Sequence, residues 1–293
     1  MRLLFRLLSL LPLPLIHRLG ALAGAVAYLG SPTYRRHLRA NMALALGEPA
    51  AARWRWAAVA SAGRMALELP RIWLRTLEEA VTMVAEVEGQ ELVDAARAAG
   101  KGIVFVTPHL GCFEITAQYL ATQAPITVLY RPPRQAWLQE MIERGRRRAS
   151  LHLAPADLSG VRGLLKALKK GEAIGLLPDQ APKMGEGRWL PFFGRPAYTM
   201  TLAARLSETG ATVLFTWGER LPGGAGYRIH FSAPTAPLEG DLEQRAAAIN
   251  REVEALIRQC PGQYLWGYNR YKRPKGVDAP PSAAEAANGP GAA

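Results

Sequence analysis

The sequence contains two histidines that are each followed five positions later by an acidic residue: His109 with Glu114, and His152 with Asp157. A carboxylate that accepts a hydrogen bond from one imidazole nitrogen leaves the other nitrogen free to act as a general base toward a hydroxyl group. Because both pairs share one spacing, only their placement in the fold can distinguish them.

Placement favours His109. The apolar run at 101–107, KGIVFVT, predicts a buried strand, and FEITAQYLATQ at 113–123 predicts a helix. His109 therefore lies at a strand-to-helix turn, where Gly111 lets the backbone approach a ligand closely. His152 precedes a proline in what the sequence predicts to be a short loop. We therefore expect His109 to be the base, with Glu114 in the first turns of the following helix.

Helices and strands alternate from about residue 89 onward, which is typical of an α/β fold with a mostly parallel sheet flanked by helices. Asp179 ends the stretch AIGLLPD, whose apolar part predicts another buried strand, and Gln180 follows it. In parallel sheets, sites form beyond the carboxyl ends of the strands. These two residues are thus expected on the same edge of the sheet as His109.

The charge is strongly unbalanced, since 36 Lys and Arg face 24 Asp and Glu, for a net charge of +12. Such an excess favours an anionic partner: a nucleic acid, an anionic membrane or an acidic protein. The stretch YRPPRQAWLQEMIERGRRRAS at 130–150 contributes six arginines, whose guanidinium forks suit phosphates, although a solvated basic face accounts for several of them. The two cysteines form no CxxC pair, which argues against a zinc cluster or disulfide framework and favours a reducing compartment.

Residues 1–30 are strongly apolar but are interrupted by Arg6, His17 and Arg18. The uncharged stretches between these residues are shorter than the roughly 18 residues of a clear membrane span. The basic run YRRHLRANM follows, as at a cytoplasmic membrane surface. We predict a retained anchor at 1–30, with a cleaved signal peptide and a buried helix pair as alternatives. A catalytic domain at 31–273 and a disordered Pro/Ala/Gly-rich tail at 274–293 complete the predicted organisation.

Four stretches, in this order and spacing, resemble the motif blocks of the lipid A biosynthesis acyltransferases. They are HLGCFE at 109–114, YRP to GRRR at 130–148, GLLPDQ to LPFFGRPAYT at 175–199, and QYLW at 263–266. These late, lauroyl-type acyltransferases of Gram-negative bacteria belong to the wider lysophospholipid acyltransferase group. The resemblance covers about residues 1–273. One departure is GYNR at 267–270, where family members often carry a histidine and an arginine after the tryptophan.

The resemblance implies an enzyme that moves a fatty acyl chain from acyl carrier protein to a 3-hydroxyacyl hydroxyl of a lipid A precursor. It implies no metal and no other cofactor, no nucleic-acid partner, and a location at the cytoplasmic face of the inner membrane. His109 would act as general base and Glu114 would orient it.

The resemblance also implies roles for four residues that would contact the substrates. Arg131 and Arg146 would bind the phosphates of the acceptor. Asp179, with Gln180 beside it, would orient Arg131 or substrate hydroxyls.

Three other functions stay open on the sequence. The first is an acyltransferase of the same superfamily acting on another lipid, such as lysophosphatidate or an aminolipid. The second is a nucleic-acid-binding protein, which the absence of a recognised module disfavours. The third is a catalytically inactive membrane scaffold.

Overall fold

The computed structural model describes residues 2–133, 135–146 and 150–280. The expectations for Arg134, Arg147, Arg148 and residues 281–293 of the predicted tail lie outside this part of the chain. The described chain begins with four consecutive helices: α1 (Arg2–Leu10), α2 (Leu13–Gly30), α3 (Pro32–Leu46) and α4 (Glu48–Leu74). Local signals set their ends, since the Ser31 side chain caps α3 and Gly47, at φ +77°, ends it.

Alternating strands and helices follow. The strands are β1 (Val84–Glu88), β2 (Ile103–Val106), β3 (Ile126–Tyr130), β4 (Leu151–Pro155), β5 (Ala173–Leu176), β6 (Gly187–Phe192), β7 (Arg195–Met200), β8 (Thr212–Arg220) and β9 (Tyr227–Ser232). The helices are α5 (Leu77–Val81), α6 (Gln90–Ala98), α7 (Phe113–Gln123), α8 (Ala136–Arg146), α9 (Leu158–Lys169), α10 (Leu202–Ser207) and α11 (Leu242–Gln259).

Seven strands form one sheet in the order β1-β9-β8-β2-β5-β3-β4, and β6 and β7 form a separate hairpin. Neighbouring strands of the large sheet run parallel except for β8 and β9. The predicted α/β class with a mostly parallel sheet is therefore confirmed. Because β2 and β5 are parallel neighbours, with Val106 opposite Leu176, the residues that follow them emerge together at one edge.

Each face of the sheet is covered by its own apolar layer. One layer holds Ile103 and Phe105 of β2 and packs against α6, α7 and the end of α4. The other holds Val104 and Val106 and packs against α9, α10 and α11. Since successive side chains of a strand point to opposite faces, a strand buried on both faces reads as a continuous apolar run, and β2 does so.

Helix α2 packs against α4 at very short range. A Cβ added to Gly63 of α4 would lie 2.0 Å from the carbonyl oxygen of Gly20, and one on Gly24 would lie 2.2 Å from that of Val59. Glycines thus allow the two backbones to touch. This packing joins α2, which ends at the predicted anchor boundary of residue 30, to α4, whose C-terminal end packs against the sheet.

Within the described residues, α2 is the single helix long and apolar enough to cross a membrane, and one third of it is buried. Its buried side faces α4. Its other side carries an apolar stripe of exposed residues spaced three and four apart: Leu15, Leu19, Leu22, Val26 and Leu29.

One local expectation from the sequence is wrong. Residues around His152, predicted as a loop, form the edge strand β4, which ends at Pro155; proline is tolerated at a sheet edge. The aromatic stretch at 189–193 forms part of the β6–β7 hairpin, and its residues Phe192 and Phe193 are buried in the core.

Candidate active site

His109 and Asp179 meet at the carboxyl edge of the sheet. His109 comes three residues after β2, and Asp179 three residues after β5. The imidazole Nδ1 lies 2.8 Å from Asp179 Oδ1, and the backbone N–H of His109 donates to Oδ2 at 2.9 Å. The side chain of Asp179 is 1% exposed and that of His109 is 17% exposed, so the carboxylate is sealed and the imidazole is reachable.

The electrostatics of Asp179 fix the tautomer of His109. Burial raises the pKa of Asp179, but the electrostatic interaction and hydrogen bonds with His109, with a smaller contribution from Arg270, lower it below its usual value. The carboxylate is therefore ionised and only accepts, so Nδ1 of the neutral imidazole carries the proton. The other nitrogen, Nε2, is left as an acceptor and lies 3.1 Å from the side-chain amide nitrogen of Gln180.

Residues 107–112, here called the His109 turn, are held by the segment 261–271, here called the C-terminal segment. Leu265 donates its N–H to the carbonyl of His109 at 3.1 Å, and Gly111 donates to the carbonyl of Gln263 at 3.0 Å. Gly111 has φ +57°, and a Cβ there would lie 2.0 Å from the carbonyl oxygen of Gly218 in β8. This position therefore requires glycine.

Glu114 lies one turn away, at the start of α7, and is buried. Its carboxylate accepts a hydrogen bond from Trp73 Nε1 of α4 at 2.9 Å. Among the described residues, no hydrogen bond joins Glu114 to the imidazole of His109. Nδ1 of the ring faces Asp179, and Nε2 faces Gln180. The carboxylate that contacts the imidazole is that of Asp179, because β5 brings it beside β2 across 70 residues of sequence.

An apolar crevice opens beside Glu114. It lies between α7 and the sheet and reaches strands β2, β3 and β5. Its wall includes Phe105, Thr107, Phe113, Leu120, Val128, Leu129, Leu151, Gly175 and Leu177. Because its walls are largely hydrocarbon, it suits an alkyl chain rather than a polar ligand.

The predicted phosphate ligands are placed only in part. Arg131 follows β3 directly, is exposed, and lines a groove with Arg205 of α10. Arg146 is the last residue of α8, and its side chain lies outside the described part of the chain. Asp157, the acid paired by spacing with His152, instead caps α9, accepting from the backbone N–H groups of Ser159 and Gly160.

Arg270, in the GYNR stretch, is a buried residue whose role the sequence did not reveal. It donates to the carbonyl of Tyr198 at 2.8 Å and to Thr199 Oγ1 at 2.7 Å, and its charge lowers the pKa of Asp179. Tyr264 also lies against Asp179: burial, then the negative charge of Asp179, raises the pKa of Tyr264. The signal in the sequence was the position of Arg270 within an aromatic segment. A segment of this kind tends to be buried, and a buried arginine must donate to nearby acceptors.

Comparison with known proteins yields a consistent result. The sequence profile of a family described as "Bacterial lipid A biosynthesis acyltransferase" matches residues 2–273. The lipid A biosynthesis lauroyltransferase of Escherichia coli (strain K12) is 31% identical over 280 residues, covering 91% of this chain and 89% of that protein. The palmitoleoyltransferase of the same strain is 31% identical over 196 residues, covering 65% and 63%. An acyltransferase of lipid A biosynthesis from Haemophilus influenzae is 31% identical over 191 residues, covering 62% and 57%.

Proposed function

Because the chain belongs to the bacterial lipid A biosynthesis acyltransferase family, we propose that it transfers a fatty acyl chain from acyl carrier protein to a 3-hydroxyacyl hydroxyl of a lipid A precursor. The observation that carries this proposal is the pairing of His109 with Asp179. A hydroxyl nucleophile needs a positioned base, and the pair supplies an imidazole with a fixed tautomer and a reachable Nε2.

In the proposed reaction, the acceptor hydroxyl displaces the Gln180 amide from Nε2 of His109. As the hydroxyl oxygen attacks the thioester carbonyl carbon, its proton passes to Nε2, and the imidazolium is stabilised by the carboxylate of Asp179. The tetrahedral intermediate then collapses with cleavage of the carbon–sulfur bond. The departing thiolate takes the proton from Nε2, so that ester, thiol and neutral imidazole result.

The negative oxygen of the intermediate needs donors close to His109. The N–H groups of residues 109–112 are engaged in the bonds that fix the turn. The next N–H, that of Phe113 at the start of α7, has no hydrogen-bond partner among the described residues, and the Phe113 ring packs edge-on to the imidazole. We assign this N–H, assisted by the dipole of α7, to the oxyanion.

The acyl chain is proposed to lie in the apolar crevice beside Glu114. Thr107 and Phe113, two residues before and four residues after His109, line the crevice, so a thioester carbonyl near Nε2 can send its alkyl chain inward. Glu114, held by Trp73, then fixes the start of α7 and shapes the entrance to the crevice.

The polar groups of both substrates are proposed to bind positively charged parts of the protein. Arg131 and Arg146 bind acceptor phosphates, for which the guanidinium fork is suited. The net charge of +12 attracts an acidic carrier protein and an anionic membrane.

The membrane contact is proposed to be interfacial, on the cytoplasmic face of the inner membrane. The buried side of α2 is engaged by α4, which leaves the apolar stripe to enter the lipid from one side. Three cations of α3, Arg35, Arg36 and Arg39, line a surface groove just beyond the stripe, where anionic headgroups lie.

Two measurements test the function. Deleting the gene should remove one secondary acyl chain from lipid A, as read by mass spectrometry, and the purified enzyme should acylate a lipid A precursor from acyl carrier protein. Unchanged lipid A, together with loss of an acyl chain from another lipid, would show that the enzyme acts on that lipid instead.

A further inference from the structure

A buried ion pair lies against the His109 turn. Arg220 ends β8 and Glu68 lies in α4, with side chains 2% and 0% exposed. The two form a bidentate pair, with Arg220 Nε 2.9 Å from Glu68 Oε2 and Nη2 2.5 Å from Oε1. The pair joins the helical N-terminal layer to the sheet.

Arg220 has donors to spare, and one of them reaches the turn. Its Nη2 donates to the carbonyl oxygen of Gly111 at 2.8 Å, and its Nη1 donates to Ser61 Oγ at 2.9 Å. The side chain of Gln263 brackets the backbone of Arg220, accepting from its N–H at 2.9 Å and donating to its carbonyl at 3.0 Å. Since the carbonyl of Gln263 accepts the N–H of Gly111, Arg220 and Gln263 together bind both polar backbone groups of this glycine.

Glu68 collects further donors that link it to α2. Its Oε2 lies 3.1 Å from His17 Nε2 and accepts from the hydroxyl of Tyr227 at 3.1 Å. Burial raises the pKa of Glu68, but the charge of Arg220 and the hydrogen bonds of His17 and Arg220 lower it to about 2. Glu68 is therefore ionised, and the buried guanidinium has its counter-charge.

Stability alone does not call for this pair. Replacing a buried ion pair by uncharged residues of similar volume is often neutral or stabilising, because desolvation of the two charges offsets their attraction. The guanidinium of Arg220 binds Glu68 and the carbonyl of Gly111 at the same time, which an uncharged side chain cannot do.

We infer that Glu68 and Arg220 are positioning residues for the base, holding the backbone at Gly111, two residues after His109, so that the imidazole meets Asp179 and the acceptor hydroxyl at a reactive angle. The inference rests on the proposed role of His109. It also makes α2 part of the catalytic unit, because His17 contributes to the same network.

The decisive variant removes both charges together, as Glu68→Gln with Arg220→Met. The glutamine keeps an acceptor for His17 and Tyr227, whereas the Gly111 carbonyl loses its donor. In the full-length enzyme we expect a melting temperature within a few degrees of the parent, KM values within about threefold and a kcat about 10- to 100-fold lower. A folded double variant with the parental kcat would overturn the inference.

Arg220→Lys serves where the double variant does not fold. Lysine keeps the charge beside Glu68, but one ammonium group cannot replace the fork, so kcat should fall by about tenfold or more. Arg71→Lys is the matched control. Arg71 also joins α4 to backbone carbonyls, those of Ser9 and Leu11, and the variant should keep the parental kcat. A parental kcat in Arg220→Lys would also count against the positioning role.

Hydrogen–deuterium exchange gives a readout that needs no substrate. Amide protons of residues 109–112 should exchange faster in the double variant and in Arg220→Lys, while those of α9 and α11 keep their parental rates. Faster exchange everywhere, or no faster exchange at 109–112, would leave only a general structural role and sink the idea. Full activity of His109→Ala would instead refute the proposed function, whatever the exchange result.

Discussion

The carboxylate of Asp179 binds His109 twice, through Nδ1 of the imidazole at 2.8 Å and through the backbone N–H at 2.9 Å. One buried group thus fixes both the ring and the peptide that carries it. This arrangement holds a side chain in one rotamer and one tautomer, which a base needs before substrate arrives.

Asp179→Asn should therefore lower kcat by at least about 100-fold, because an amide can leave the imidazole in the wrong tautomer. His109→Ala should lose a comparable factor, and the two losses should not add in the double variant, since the residues act as one unit. Steady-state kinetics on variants that fold by circular dichroism provide the measurement. His152→Ala is the control and should stay within a few-fold of the parent. Additive losses would mean that the two residues work separately.

The sequence was informative about the position of His109 and much less so about the residue that contacts its ring. The apolar run of β2 and the helix that follows placed His109 at a turn on the carboxyl edge, and the same reasoning placed Asp179 there. Sheet order, however, depends on long-range pairing that no local pattern encodes. The pairing of β2 with β5 brings the carboxylate of Asp179, rather than that of the nearby Glu114, within 2.8 Å of the ring.

The N-terminal helices show a different limit of sequence reasoning. The apolar composition of residues 1–30 indicated a membrane segment, and the polar residues His17 and Arg18 were interpreted only as interrupting its uncharged stretches. The structure shows that His17 is buried against Glu68, a residue 51 positions away. A helix can thus be apolar for two reasons at once, packing on one side and exposing a stripe on the other.

Lysine substitutions in the apolar stripe test membrane binding. Leu22→Lys with Val26→Lys should weaken binding to vesicles of phosphatidylethanolamine and phosphatidylglycerol by at least about tenfold, because two apolar side chains no longer enter the lipid. The melting temperature should hold, since both residues are exposed. Leu158→Lys, at an exposed leucine of α9, is the control. Parental sedimentation of the double variant with vesicles would exclude the stripe as the contact.

Arginine variants test acceptor recognition. Arg131→Ala and Arg146→Ala should each raise the KM for the lipid A precursor more than the KM for the acyl donor, because a phosphate loses a bidentate partner. Kinetics with each substrate varied in turn provide the measurement. Arg162→Ala, at an exposed arginine of α9, should change neither value. If both site variants keep the parental acceptor KM, the phosphates bind elsewhere.

A larger side chain in the crevice should change donor preference. Val128→Phe narrows a space that Val128 of β3 lines, so kcat/KM should fall more for long-chain than for short-chain donors. A series of acyl carrier proteins loaded with different chain lengths supplies the comparison. Val213→Phe is the matched control, because Val213 of β8 packs against the layer on the opposite face of the sheet. An equal loss across the series in Val128→Phe would place the acyl chain outside this crevice.

The acid stability of the fold should depend on Glu68. The pKa of Glu68 in the folded chain is about 2, whereas the pKa of a glutamate in an unfolded chain is about 4.3. Between these values the unfolded chain binds more protons, so the free energy of unfolding should fall as pH is lowered from about 5 to 2 and should gain little from Glu68 above that range. Asp179, whose pKa is also lowered, adds to the same slope. In Glu68→Gln with Arg220→Met the slope should be shallower, as measured by urea unfolding at pH 7, 5, 4 and 3. Comparing the pH dependence of the free energy of unfolding, rather than its absolute value, removes any constant effect of the substitutions. An unchanged pH dependence would mean that Glu68 is not charged in the folded protein.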